Sequence, residues 1–209
     1  MSSIHSISPI DGRYAKATQS LQNYFSEAAL IRYRLKVEIE YLKALSKLDA
    51  LGADAQKLAI AGKELSNWFD TLKDTDYERV KEIERITNHD VKAIEYIIKE
   101  QLDLLGLSEV KEWVHFGLTS QDINNTAIPI SMKDANLEVM YPMLESVLQK
   151  MTEQASAWMP QPMLARTHGQ PASPTRLGKE ILVFIERIEQ QIKQLQNVPY
   201  AAKFGGATG

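Results

Sequence analysis

The sequence predicts an all-α fold in which an N-terminal helical domain is followed by the start of a central bundle of long helices. The chain has 209 residues, of which 44% are hydrophobic, so a substantial core can form. Apolar residues recur at helical spacing along most of it, and no alternating pattern indicates a sheet. The periodicity breaks between Gly106 and Val110, which places the predicted helical domain at 1–110 and the first, incomplete part of the bundle at 111–209.

Three apolar stripes mark the longest predicted helices. The first lies on a strongly charged segment, and the third spans four turns with a 4-3-4-3 spacing. Such spacing is typical of a helix that packs against partner helices. The stripes are formed by Ile31, Leu35, Leu42 and Leu45; by Leu137, Met140, Leu144, Val147, Met151 and Trp158; and by Ile181, Ile185, Ile188, Ile192 and Leu195.

The helix ends are marked by polar residues and prolines. Asp90 stands directly before an apolar helical series, and we expect it to be the N-cap of that helix. Ser120 or Asp122 is expected to cap the next long helix in the same way. Pro129 and Pro142 lie in or near this long segment, and each should bend or divide it because proline lacks the amide donor.

The composition narrows the class of protein. Lys and Arg total 24 against 27 Asp and Glu, so the net charge of -3 favours neither nucleic acid nor an anionic membrane as a partner. There is no cysteine, which excludes disulfides and thiolate nucleophiles and suits a reducing compartment. No apolar run is long enough to cross a bilayer, and the first nine residues lack the features of a secretory signal. We therefore expect a cytoplasmic protein.

Four polar clusters interrupt the helical pattern at predicted helix ends or loops. They are Asp11-Gly12-Arg13-Tyr14, Thr87-Asn88-His89-Asp90, Thr119-Ser120-Gln121-Asp122 and Arg166-Thr167-His168-Gly169-Gln170-Pro171. The last of these is expected to be a loop between two long helices. His168 is a candidate proton donor there, because an imidazole with a pKa of about 6.5 exchanges protons near neutral pH.

Two of the clusters have a structural and a functional interpretation. Arg13 can hold a phosphate or carboxylate through two parallel hydrogen bonds, and Tyr14 adds a hydroxyl; the alternative is an ordinary surface turn. Asn88, His89 and Asp90 combine an amide, an imidazole and a carboxylate ahead of a helix, where they could bind a ligand or simply cap the helix.

The cluster from Thr119 to Asp122 leaves the same choice open. Thr119 and Ser120 offer hydroxyls and backbone amides at a helix start, which suits a carboxylate or phosphate and equally suits capping.

Metal and nucleotide motifs are missing: no two histidines lie within one helical turn, and no P-loop, dinucleotide or Gly-x-Ser-x-Gly pattern occurs. We expect neither a metal nor a cofactor.

In this order, the four clusters resemble the motifs of the adenylosuccinate lyases of the fumarase and aspartase superfamily. The matching segments are Ser-Pro-Ile-Asp-Gly-Arg-Tyr, Glu-Arg-Ile-Thr-Asn-His-Asp-Val-Lys-Ala-Ile-Glu-Tyr, His-Phe-Gly-Leu-Thr-Ser-Gln-Asp-Ile-Asn-Asn and Arg-Thr-His-Gly-Gln-Pro-Ala, which together span residues 8–172. Thr-Asn-His-Asp resembles the bacterial branch. Gly169 argues against fumarases, aspartases and argininosuccinate lyases, which typically carry leucine there.

The resemblance implies a reaction and a set of site residues. The family eliminates fumarate from adenylosuccinate, which gives AMP, and from a succinylated carboxamide ribotide of purine synthesis. His168 would be the general acid, with His89 as a second catalytic residue that assists substrate binding. The remaining substrate-binding residues would be Arg13 and Tyr14 for the nucleotide, Thr119, Ser120 and Gln170 for the succinyl group, and Asn88, Asp90, Gln121 and Thr167 beside them.

One part of the family pattern is missing. The signature loop Ser-Ser-x-Met-Pro-x-Lys-x-Asn, which carries the catalytic base serine, does not occur in these 209 residues. Family chains continue beyond this point, so we expect a truncated chain that is inactive alone. The family forms homotetramers with shared active sites, which would explain the apolar stripes. The alternatives are another fumarate-releasing lyase, such as argininosuccinate lyase, and a non-catalytic helical assembly protein.

Overall fold

The computed structural model describes residues 5–208. Within that range, residues 5–133 and 201–208 form one compact unit, and 134–200 form a second. Residues 1–4 and Gly209 lie outside the described residues, and with them part of the sequence on which the expectation about a secretory signal rests. No helix in the described range is long and apolar enough to cross a membrane.

The first unit is built from packed helices around one main core. Leu35, Leu58 and Ile94 are fully buried there, and the whole first stripe faces this core as predicted. Its helices are α1 (Gln22–Phe25), α2 (Glu27–Leu45), α3 (Ala53–Asp70), α4 (Asp74–Thr87), α5 (Asp90–Leu104) and most of α6 (Ser120–Ala135), with short 3-10 turns at Gln19–Leu21, Asp49–Leu51, Ser108–Trp113 and Gly206–Thr208.

The break in periodicity after Gly106 is a turn within the first unit. Gly106 has a φ of 72°, and the 3-10 turn that follows buries Val110 completely in the main core. The compact units divide instead between residues 133 and 134. The assignment of 1–110 and 111–209 to two domains stays a prediction.

The start of α5 corrects the predicted cap. His89 is the N-cap, and its Nδ1 accepts a hydrogen bond from the Lys92 N–H at 3.1 Å. Asp90 is the first helical residue; its Oδ1 accepts from the adjacent Val91 N–H and its Oδ2 accepts from Arg34. The prediction for α6 is closer, since Asp122 lies in the first turn and accepts from the Thr119 N–H at 2.7 Å.

The second unit consists of two long helices joined by a β-hairpin. After a π-helical turn at Asn136–Met140 come α7 (Tyr141–Ala157), β1 (Pro162–Thr167), β2 (Gln170–Arg176) and α8 (Leu177–Gln196). The two prolines behave differently: Pro129 lies inside α6 without ending it, whereas Pro142 is the second residue of α7, directly after the π-helical turn.

The hairpin contradicts the expectation of a loop without strands. Thr167 pairs with Gln170, so His168 and Gly169 form a two-residue turn, and their φ angles are 49° and 78°. Positive φ at both central positions is the signature of a type I′ turn, which matches the twist of paired strands. The turn geometry and the backbone pairing produce strands here, although residues 162–176 contain three prolines and no apolar alternation.

Candidate active site

His89 lies where the starts of α5 and α6 come together. Asn88 ends α4 in the left-handed conformation, with φ of 50°, and so turns the chain toward α5. Because His89 Nδ1 accepts the Lys92 N–H, the neutral ring carries its proton on Nε2. That nitrogen lies 3.3 Å from Ser120 Oγ. The imidazole is 49% exposed, so a ligand can reach it.

Asp90 is held beside His89 by a buried arginine. Its Oδ2 accepts from Arg34 Nη2 at 2.6 Å, and its Oδ1 accepts from the Val91 N–H at 2.9 Å. Partial burial would raise the pKa of Asp90, but the Val91 N–H and the Arg34 guanidinium outweigh that effect and keep the pKa below its ordinary value. The Asp90 carboxylate is therefore held in a fixed position beside His89.

Asp122 anchors the segment before α6. Its carboxylate is fully buried. Oδ2 accepts from the N–H and the hydroxyl of Thr119, at 2.7 and 2.8 Å, while Oδ1 accepts from the backbone N–H groups of Gly205 and Gly206 and from Lys203 Nζ, at 2.8, 3.1 and 3.1 Å. Burial would raise the pKa of Asp122, but these donors hold it far below its ordinary value.

A second buried carboxylate, Glu38, lies beneath the same segment, and no local sequence pattern indicates it. Glu38 Oε1 on α2 lies 2.5 Å from His115 Nδ1, and Glu95 Oε1 on α5 lies 3.8 Å from His115 Nε2. Burial raises the pKa of Glu38, although His115 opposes the rise. Burial would lower the pKa of His115, but Glu38 and Glu95 favour the imidazolium and raise it.

The remaining predicted residues of the first unit are more exposed. Arg13 and Tyr14 lie in a segment of turns before α1, with the guanidinium 5.4 Å from the Tyr14 ring centroid. Gln121 donates to Asn125 Oδ1 at 2.8 Å. Among the hydrogen bonds of the described residues, none connects Arg13 or Tyr14 with His89 or Ser120. The structure thus brings the second and third clusters together through His89 and Ser120.

The fourth cluster belongs to the second unit. His168 is at the tip of the hairpin, and Thr167 and Gln170 are the paired residues that flank the turn. All three side chains are exposed. An imidazole in this position is accessible to a ligand and carries no packing role that would explain it.

Backbone strain coincides with the candidate motifs. In the part of the chain that the structure describes, the non-glycine residues with positive φ are Asn88, His115 and His168. Each lies within one of the motif segments. Such conformations cost roughly 1–3 kcal/mol, and they concentrate at functional sites, where the surrounding structure holds them.

Metal ligation has no geometric support among residues 5–208. No group of three or more His, Asp or Glu side chains is arranged there to hold an ion. The chemistry that the described residues can supply is hydrogen bonding and proton transfer. Imidazoles, hydroxyls and backbone amides at helix starts suit an anionic ligand.

The chain is similar to known enzymes along its whole length. The adenylosuccinate lyase of Dictyostelium discoideum is 52% identical over 214 aligned positions, which cover 100% of this chain and 46% of that protein. The adenylosuccinate lyases of Vibrio cholerae and Escherichia coli K12 are 40% and 38% identical, again over 100% of the chain and 46% of each protein. The chain spans about half the length of these relatives.

Solved structures share the fold at lower identity. A fumarate lyase from Mesorhizobium sp. BNC1 is 22% identical with a TM-score of 0.72, covering 91% of this chain and 43% of that one. The β-carboxy-cis,cis-muconate cycloisomerase of Acinetobacter calcoaceticus sp. ADP1 is also 22% identical, with a TM-score of 0.65 and the same coverage. A family model described as lyase matches residues 12–209, nearly the whole chain. The chain therefore belongs to the lyase family.

Proposed function

We propose that the protein carrying this chain is an adenylosuccinate lyase. It eliminates fumarate from adenylosuccinate to leave AMP, and from the succinylaminoimidazole carboxamide ribotide of purine biosynthesis. The observation that carries the proposal is the 52% identity, over the whole chain, to an enzyme of that name. No cofactor is needed for such a carbon–nitrogen elimination.

We assign to His168 the role of the general acid in this elimination. A base outside this chain removes a proton from the carbon beside a carboxylate, the C–N bond breaks, and its electrons pass to the departing nitrogen. His168 protonates that nitrogen, so fumarate and a neutral amine result. General acid catalysis of this kind contributes roughly 10²–10⁴-fold to a rate. The exposed tip of the hairpin supports the assignment because a proton donor must reach the substrate.

We assign binding of the succinyl group to the residues where α5 and α6 begin next to each other. The His89 Nε2–H is directed at Ser120 Oγ, so the Ser120 hydroxyl proton stays available for a substrate carboxylate. Thr119 gives both its N–H and its hydroxyl to Asp122. We therefore expect Ser120 to donate to the substrate and Thr119 to hold the turn.

The remaining residues complete the binding assignment. Thr167 and Gln170 beside the hairpin turn, together with Asn88, Asp90 and Gln121, are assigned to the same substrate. Arg13 and Tyr14 are assigned to the nucleotide, because a guanidinium binds phosphate through two parallel hydrogen bonds. The exposed position of Arg13 and Tyr14 leaves them able to contact a ligand.

We further propose a cytoplasmic homotetramer with shared active sites. The second unit exposes large apolar side chains, including Met143 at 62% and Phe184 at 53%. Isolated exposed apolar residues are common, but a series along packed helices indicates a surface that other helices cover. The absence of cysteine suits a reducing compartment.

The test is turnover by the complete polypeptide encoded by the gene. The purified protein is incubated with adenylosuccinate or argininosuccinate, and AMP, arginine and fumarate are separated by chromatography. Release of AMP and fumarate is expected. Turnover of argininosuccinate alone would establish a different fumarate-releasing lyase. A folded oligomer that turns over neither substrate would favour a helical assembly protein.

A further inference from the structure

Arg34 is a charged residue in the interior of the first unit. It lies on α2 and is only 6% exposed, between the fully buried Leu35 and the buried Tyr33. An arginine in such a place loses hydration and is destabilising unless hydrogen bonds compensate for the loss. No local sequence pattern indicates the role of Arg34, because its partners are 56 and 90 residues away.

The guanidinium of Arg34 connects the two helix starts that carry the candidate site. Its Nη2 donates to Asp90 Oδ2 on α5 at 2.6 Å, and its Nε donates to Asn124 Oδ1 on α6 at 2.9 Å. The guanidinium is planar and rigid, so two hydrogen bonds from it fix the distance between their acceptors. Arg34 thereby sets the spacing of α5 and α6 at these residues.

That spacing determines how His89 faces Ser120. Asp90 is the neighbour of His89, and Asn124 lies one helical turn after Ser120 on the same face of α6. The direct contact between His89 Nε2 and Ser120 Oγ is 3.3 Å long and exposed to solvent. An exposed hydrogen bond of this length stabilises little, whereas the bond from Arg34 to Asp90 is short, charge-assisted and buried on the arginine side.

We infer that Arg34 is a positioning residue of the active site: through Asp90 and Asn124 it holds His89 and Ser120 at the separation that the succinyl group requires. The inference rests on the proposed function. Arg34 itself is buried behind both residues and does not touch the substrate. Replacing Arg34 displaces His89 and Ser120, which do contact the substrate. A displacement of about 1 Å can cost about 10²-fold in rate.

The test compares Arg34→Met and Arg34→Lys in the complete polypeptide, with Lys36→Met as a control. Lys36 is an exposed cation on the same helix, two residues further on. Steady-state kcat and KM for adenylosuccinate and the melting temperature are measured for each. Arg34→Met is expected to lose about 100-fold in kcat/KM. Arg34→Lys keeps the charge but lacks the planar fork, so it should recover much of the melting temperature and little of kcat.

Each outcome decides the question. Wild-type kcat and KM in Arg34→Met would overturn the inference. It would also be overturned if Arg34→Lys restored kcat and melting temperature in parallel, because the role would then be structural only. A wild-type protein without turnover of adenylosuccinate would refute the proposed function itself. A loss of kcat in both variants, with Lys36→Met unchanged, supports the positioning role.

Discussion

His168 occupies a backbone position that few side chains accept. It is the first of the two central residues of the hairpin turn, with φ of 49°. Asn is among the residues that best tolerate this left-handed region. Because Asn cannot carry a proton at neutral pH, exchanging His168 for Asn separates the chemistry of the imidazole from the geometry of the turn.

We predict that His168→Asn in the complete polypeptide lowers kcat by roughly 100-fold or more, since general acid catalysis is lost. Circular dichroism and the melting temperature should stay close to wild type, because the turn is retained. His5→Asn is the matched control, as His5 is exposed and outside the four clusters. Retained turnover in His168→Asn would remove His168 from the acid step.

The pair formed by buried Glu38 and partly buried His115 makes stability depend on pH. The folded pKa of His115 lies above its ordinary value of 6.5, so its stabilising effect is complete below about pH 6.5 and is lost as pH rises through the folded pKa. The pKa of Glu38 is raised above 4.5 by burial, which also makes the folded state less stable as pH rises. The two shifts act in the same direction.

Glu38→Gln should lower the free energy of unfolding by about 1–3 kcal/mol at pH 6, where His115 loses its anionic partner. The difference from wild type should shrink as pH rises through the folded pKa of His115, because the imidazole then loses its charge. Urea unfolding at several pH values measures this. Glu40→Gln, an exposed glutamate on the same helix, is the control. A difference that does not change with pH would contradict the paired ionisation.

Among individual residues, the candidate catalytic side chains could be predicted, but the residues that hold them in place could not. His89 and His168 are recognisable because polar residues interrupt an amphipathic pattern. Asp122 is visible as a capping residue, but its bond to Lys203 joins positions 81 residues apart. Nothing in a local pattern indicates such a partner. The predicted cap of α5 was wrong because His89, one residue earlier, accepts the Lys92 N–H and is the N-cap.

At the scale of elements, long helices were predictable and the hairpin was not. The stripe on α2 has a clear period and is buried as expected. The strands β1 and β2 are short, mostly exposed and interrupted by proline, so no apolar alternation marks them. Only the His-Gly turn with its positive φ angles indicates the pairing, and that conformation is not visible in the sequence.

The contact between α7 and α8 depends on one glycine. A Cβ added at Gly178 would lie 2.2 Å from the Ala155 carbonyl oxygen and 2.8 Å from the Met159 backbone nitrogen. Both are backbone atoms, which cannot move without displacing a helix. The glycine is therefore required by the close approach of the two helices and not by its own φ angle.

Gly178→Ala should destabilise the second unit by about 1–3 kcal/mol, the usual cost of overpacking. Gly62→Ala in the first unit is the control: Gly62 is also a buried helical glycine, and its added Cβ would lie 2.4 Å from Lys43 Cγ, a side-chain atom outside α7 and α8. Hydrogen exchange of α7 and α8 should accelerate in Gly178→Ala alone. Equal exchange in both variants would show that the helices can separate without cost.

The whole molecule combines a well-buried unit with one that leaves much apolar surface exposed. The second unit buries Ala155 and Ile185 between its helices. Leu182, Val183 and Phe184 are each exposed by 39–53%. Two helices that bury only the face between them need further helices to cover their other apolar faces. The predicted second and third stripes are only partly covered in this chain.

The 209-residue polypeptide alone should therefore self-associate through its second unit. Sedimentation velocity is expected to show oligomers that Phe184→Asp weakens, because burying one Phe side chain contributes roughly 1.5–3 kcal/mol, which is tenfold or more in Kd. Ile86→Asp is the matched control, since Ile86 is 82% exposed on α4 of the first unit. A monodisperse monomer that unfolds cooperatively would show instead that the exposed face of α8 is stable in water without a partner.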